Sequence, residues 1–173
     1  EVIVPTFTYI ASVNAIKYVG AKPVFVDSEP HTWNIDPNDI RKKITPKTKA
    51  IMVVHLYGNP CKMDEIKEIC EEFNIDLIED AAEALGSKYK GEYIGTFGDI
   101  STFSFFGNKT ITTGEGGMIS SNNKELVNRA TYLKSQAVSK EKEYWHDELG
   151  FNYRMTNICS AIGLAQLEKA DII

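Results

Sequence analysis

The sequence predicts an α/β protein, a three-layer sandwich around a mainly parallel central sheet. Two observations predict it. Short apolar runs alternate with amphipathic stretches of helical period along most of the 173 residues. The apolar runs are also hydrophobic at successive positions, as in "AIMVV", which marks strands buried on both faces.

The elements follow in order. "EVIVP" reads as a strand, and "FTYIASVNAIKYVG" as a helix closed by Gly20. "KPVFVD" is a second strand. Asp36 is placed to cap a helix that has Pro37 in its first turn. "KAIMVVHLYG" reads as one continuous strand. "KMDEIKEICEEFN" puts Ile66, Ile69, Cys70 and Phe73 on one helical face. "IDLIED", "GDISTFSFF" and "GGMISS" are three more strands. "KELVNRATYLKS" is a helix, and "MTNICSAIGLAQLEKADII" a long one. Between them, residues 136–148 are the most polar stretch and read as a mobile loop.

Composition narrows the function classes. The net charge is −5 with no basic stripe, which argues against nucleic acid and against docking on an anionic membrane. No apolar run approaches the roughly 20 residues of a bilayer span. The opening residues lack the order of a signal peptide. Cys61, Cys70 and Cys159 form no metal-binding pair and read as reduced thiols of a cytoplasmic protein, so no metal site is expected. The chain opens on a strand without an initiator Met and stops inside a helical pattern, which predicts a piece of a longer chain.

In open α/β sheets, ligands sit beyond the carboxyl ends of the strands. Three strand ends carry chemistry. Asp80 follows "IDLIE"; taken alone it reads as the cap of a helix over "AAEALG". Lys109 follows an aromatic run; taken alone it is a solvated loop lysine, but in an apolar pocket its amine becomes nucleophilic. Ser104 and the hydroxyls and glycines of "TITTGEGG" offer small donors that can cradle a phosphate, although a simple turn explains them too. The order of residues excludes a Walker A loop, because Lys109 precedes the glycines.

One ligand asks for all three groups. Pyridoxal phosphate joins a lysine, pairs its ring nitrogen with a carboxylate and carries a phosphate that needs donors. Tyr9, at the first strand end, is placed to stack on such a ring.

"FSFFGNKTITTGEGGM" resembles the lysine segment of the DegT/StrS family, pyridoxal-phosphate-dependent nucleotide-sugar aminotransferases of fold type I. "PTFTYIASVNAI", "FVDSEPHTWNID", "HLYGNP", "IEDAAEALGS" and "GFNYRMTNICSAIGLAQL" are similar to further family segments, in order. The resemblance implies that residues 1–173 are the central part of the cofactor-binding large domain. The upstream phosphate-binding turn and the smaller C-terminal domain are then absent. It gives Lys109 the covalent bond to the cofactor, Asp80 the pyridinium nitrogen, Tyr9 the stacked ring and Ser104 the phosphate. Glu83 stands where many relatives place Gln or His beside the ring hydroxyl. Asn152 matches a residue that reaches the partner subunit's cofactor phosphate, which implies a homodimer with shared sites. Arg154 and His55 are further substrate contacts, with packing an equal explanation for His55 and Tyr57.

The implied reaction moves an amino group from glutamate to a nucleotide-linked 4-keto-6-deoxy sugar, with GDP-4-keto-6-deoxymannose favoured. Another nucleotide-sugar 3- or 4-aminotransferase, for a dTDP- or UDP-sugar, stays open, as does a non-catalytic cofactor-binding homologue. A dehydratase would carry histidine in place of Lys109.

Overall fold

The computed structural model describes residues 1–173. The chain forms two units, Glu1–Phe103 and Ser104–Ile173.

The first unit is the layered α/β part. Its elements are β1 (Val2–Pro5), α1 (Ile10–Tyr18), β2 (Pro23–Val26), α2 (Pro37–Lys43), β3 (Ala50–Val54), α3 (Met63–Phe73) and β4 (Asp76–Asp80). A small antiparallel hairpin follows, β5 (Lys88–Tyr89) with β6 (Glu92–Tyr93), and then β7 (Ile100–Ser104), which ends at the unit boundary. The strands stand in the order β2-β1-β3-β4-β7, every neighbouring pair parallel.

Alternate residues of each strand face opposite layers. Ile3, Ile51, Val53 and Leu77 share one core with Ile40 of α2 and Met63, Ile66 and Ile69 of α3. Val4 and Met52 pack on the other face with Ile16 of α1, beside the half-buried Val2, Val13 and Ile78. The three layers predicted from the apolar runs are therefore present. Each fully buried Ile contributes about 1.5–3 kcal/mol to holding them together.

Local chemistry explains most boundaries. The Asp36 carboxylate accepts the Asn38 N–H at 2.9 Å, and Pro37 opens α2, as the sequence predicts. In α3, Ile66, Ile69 and Cys70 are buried as expected. Phe73 is not; it lies in the last turn, 42% exposed, and Met63 takes the buried role.

Two strand-end readings change. The strand expected over 49–58 stops at Val54, because the chain tightens into a 3-10 turn over Leu56–Gly58. Tyr57 and Gly58 both adopt left-handed backbone there, with φ of 52° and 80°. Residues 81–86 form consecutive turns instead of a helix, closed by Ala84 N–H to Ala81 O and Ser87 N–H to Ala84 O, each 3.0 Å.

The second unit contains β8 (Gly117–Ser120), α4 (Lys124–Lys134) and α5 (Asn157–Leu167). Asn123 caps α4 by accepting the Glu125 N–H at 2.9 Å, and Thr156 caps α5 by accepting the Cys159 N–H at 3.3 Å. The helix expected to run to 173 is shorter. After Leu167 the bonds tighten to three-residue spacing, as in Ala170 N–H to Leu167 O at 3.0 Å. Residues 136–148 carry no helix or strand and are closed by an isolated antiparallel bridge, Val138 with His146. No helix is long and apolar enough to cross a membrane.

Candidate active site

Parallel pairing brings the carboxyl ends of β1, β3 and β4 to the same edge of the sheet. Asp80 closes β4 there. Its Oδ2 accepts the Ser12 hydroxyl at 2.6 Å, and its Oδ1 accepts the Ala82 N–H at 3.1 Å. Ser12 lies on the inner side of α1, only 5% exposed, with Thr8 Oγ1 at 3.3 Å. Tyr9 is the residue that begins α1, extended in backbone and 79% exposed. One turn of helix thus carries both the exposed ring and the hydroxyl that holds Asp80.

The adjacent residue, Glu79, points the other way and is fully buried. It accepts the backbone N–H of Gly95 at 2.9 Å, Phe97 at 2.8 Å and Gly98 at 2.6 Å, and the Ser101 hydroxyl at 3.2 Å. Burial alone would raise this carboxyl. The hydrogen bonds from His55, Gly98 and Gly95 outweigh it and hold the group below its ordinary 4.5. Gly95 is required here: its φ is +92°, and a Cβ would stand 2.3 Å from the Phe103 ring.

His55 belongs to this buried network. Its Nδ1 accepts the Cys61 N–H at 3.1 Å, which leaves Nε2 to donate to Glu79 at 3.2 Å. With no exposed surface, His55 takes the packing role that the sequence left open beside substrate contact. Cys61 beneath it is inert as an acid, its thiol pushed up to about 12 by burial and then by the Glu79 charge.

Tyr57 and Glu83 meet differently. The Tyr57 backbone N–H donates to Glu83 Oε2 at 2.8 Å, which draws that carboxylate onto the left-handed turn. The same turn is pinned by the Ser87 hydroxyl, donating to Gly58 O at 2.8 Å.

The second unit holds the remaining candidates. Ser104 Oγ accepts the Phe106 N–H at 3.2 Å, a bond that does not use the hydroxyl proton. Lys109 is half-buried, and its backbone N–H closes a turn on Phe106 O at 3.0 Å. The hydroxyls of "TTGEGG" face inward. Thr112 Oγ1 donates to Phe105 O at 3.0 Å, and Thr113 Oγ1 to Glu115 O. Of the two sequence readings, that segment follows the self-closed turn. Asn152 is exposed beside an isolated bridge to Ser135, and the flanking Phe151 and Tyr153 rings stack at 5.1 Å. Arg154 is exposed.

The donor set fits pyridoxal phosphate. A carboxylate offers about four lone-pair positions. Two on Asp80 are used, so capacity for a protonated ring nitrogen remains. The exposed Tyr9 ring offers a face on which a flat ring could stack, and the second unit carries a primary amine and a serine hydroxyl of the kinds the cofactor needs. Sequence reasoning missed Ser12 and Thr8. Their one signal was spacing, since hydroxyls flank Tyr9 at the start of a helix in "TYIAS".

A mainly parallel α/β sheet with an aspartate and a tyrosine at its carboxyl edge, in a chain that also carries a half-buried lysine, is consistent with the aminotransferase class. Residues 1–173 match the DegT/DnrJ/EryC1/StrS aminotransferase family, and the chain belongs to it. It is 67% identical over 171 residues to the GDP-perosamine synthase of Escherichia coli O157:H7, covering 99% of this chain and 47% of that protein. It is 54% identical to the GDP-perosamine synthase of Vibrio cholerae, covering 100% and 47% of the two chains. Among solved structures it superimposes on a Helicobacter pylori aminotransferase involved in the biosynthesis of pseudoaminic acid. There the TM-score is 0.92 at 32% identity, over 99% of this chain and 47% of that one. The chain thus spans about half the length of the curated relatives it matches.

Proposed function

We propose that the chain is the central part of the large domain of a pyridoxal-phosphate-dependent nucleotide-sugar aminotransferase. The reaction moves an amino group from glutamate to GDP-4-keto-6-deoxymannose, giving GDP-perosamine, an amino sugar suited to the O-antigen of lipopolysaccharide. The observation that carries the substrate is the 67% identity to the Escherichia coli synthase, sustained over nearly the whole chain.

Pyridoxal phosphate supplies an electron-accepting ring that carries the amino group from donor to acceptor. Asp80 would accept the ring N–H and keep that nitrogen charged. The exposed Tyr9 ring would offer a flat apolar face. Ser104 would donate to the phosphate, and Glu83 would stand by the ring hydroxyl. Lys109 would anchor the cofactor, then take and return the proton at the substrate carbon through its amine. Arg154 would be a substrate contact, and Asn152 would reach the phosphate held by the partner subunit.

The homodimer is supported by α5. A helix apolar on all sides belongs in a buried setting, yet Ile158, Ile162, Leu164 and Leu167 are all exposed. The cytoplasmic setting is supported by three cysteines that form no disulfide. A second reading, an aminotransferase for a different acceptor, is favoured by the overlap with the Helicobacter pylori aminotransferase of pseudoaminic acid biosynthesis.

The deciding experiment gives the full-length protein ¹⁵N-glutamate and a panel of GDP-, dTDP- and UDP-linked keto sugars. Transfer of ¹⁵N to the GDP-linked 4-keto sugar is expected. Transfer only to a dTDP or UDP sugar would replace the substrate, and no transfer to any would end the enzymatic reading.

A further inference from the structure

We propose that Ser12 is a positioning residue for the candidate site: it fixes the carboxylate of Asp80 and sets how strongly that carboxylate holds a ligand's N–H. The inference rests on the reading of Asp80 as partner of a pyridine nitrogen. It adds a residue whose part comes from the geometry of this chain.

Ser12 has one hydroxyl proton, and the 2.6 Å contact directs it onto Asp80 Oδ2. That length falls within the range of a hydroxyl donating to an ionised carboxylate. The 3.3 Å contact to Thr8 must then run the other way, with Thr8 donating to Ser12 Oγ. The result is a directed chain, Thr8 to Ser12 to Asp80, in which each bond polarises the next. Ser12 is almost fully buried, so water does not compete for the bond. The Ala82 N–H holds the second oxygen. Rotation of the carboxylate is therefore blocked from both sides.

The hydroxyl also ties Asp80 to α1. Tyr9 opens that helix and Ser12 lies one turn on, so the exposed ring and the carboxylate keep a fixed relation through one short rigid element. Without the Ser12 bond, the Asp80 carboxylate would lose one of its two anchors and with it its aim. A flat ring between tyrosine and aspartate is sensitive to such a loss, because both contacts must be met together.

The test uses the full-length protein loaded with pyridoxal phosphate labelled with ¹⁵N in the ring. In the wild type the ring nitrogen resonates as protonated, and Asp80→Asn loses that signal. Ser12→Ala is expected to move the resonance towards the unprotonated position and to weaken cofactor binding roughly ten- to a hundredfold, the effect of one hydrogen bond to a charged group. Ser12→Thr, which keeps the hydroxyl, restores both. A Ser12→Ala protein with the wild-type resonance and affinity, alongside an Asp80→Asn protein that has lost them, overturns the role of Ser12 and leaves the functional reading standing. A signal unmoved by Asp80→Asn, or a wild type that takes up no cofactor, overturns the reading of Asp80 and this proposal with it. Should Ser12→Ala not fold, Thr8→Val removes only the donor to Ser12. A smaller displacement in the same direction then supports the proposal, and none overturns it.

Discussion

At the scale of single residues, two neighbouring carboxylates show how setting decides role. Glu79 is enclosed by N–H donors and His55, while Asp80 meets two donors and stays half-open. Glu79→Gln would turn an amide NH₂ towards backbone N–H groups, and is expected to destabilise the protein by about 1–3 kcal/mol in urea unfolding. Its pH dependence has a definite sign. The folded-state carboxyl titrates below its ordinary 4.5, so its contribution is complete above that value. It is lost as the pH falls through the lower folded value. The stability gap between wild type and Glu79→Gln should therefore be constant at neutral pH and shrink below pH 4.5. A gap that widened in acid would contradict the network. For the proposed chemistry, Lys109→Ala in the full-length enzyme should reduce ¹⁵N transfer from glutamate by roughly 10²–10⁴-fold. Transfer at the wild-type rate would remove Lys109 from that role. Asp80 and Tyr9 were legible in the sequence as strand-end positions, because apolar runs mark the strands and ligands of open sheets gather at their ends. Ser12 was not, since its partner lies 68 residues away and only the folded register joins them.

At the scale of elements, the apolar runs located the strands well and their ends less well. "HLYG" looks like continued strand, yet a left-handed Tyr57 and Gly58 turn it aside, and propensity carries no trace of that. Likewise "AAEALG" has helix-forming residues that turns and Gly86 capture, with a φ of 86°. The approach of α5 to the turn after Lys109 makes a sharper prediction. A Cβ at Gly163 would stand 2.7 Å from Thr113 Cγ2, and Thr112 N–H donates to Gln166 Oε1 of the same helix at 2.7 Å. Gly163→Ala should lower stability by about 1–3 kcal/mol through overpacking, read as a fall in Tm. Adding Thr113→Ser removes the methyl in the way and should recover most of the loss. No recovery in the double variant would show that the crowding lies elsewhere.

At the scale of the whole molecule, the two units differ in how much they bury. Nearly all the buried apolar side chains belong to Glu1–Phe103, while α4 and α5 have no buried residue. The alternation of apolar runs with helical stretches foretold a layered α/β protein but not this imbalance, because a pattern locates hydrophobic residues without saying what covers them. The exposed apolar side of α5 leads to the prediction for assembly. Full-length protein should sediment as a dimer, and Ile158→Asp with Leu167→Asp should shift it to monomer if α5 lies in the interface. A wild type that stays monomeric at assay concentration while turning over would contradict the shared-site reading.

The alternation along β4 has one more consequence. Because side chains swap sides at every step, misalignment by a single position would send Glu79 to the α1 side and Asp80 into the pocket of glycine amides. The error would strand a charge meant for the interior and withdraw the carboxylate of the proposed site, so one fault in threading would cost both the fold and that site. Quality control by unfolding alone would therefore also discard molecules whose proposed site is misformed.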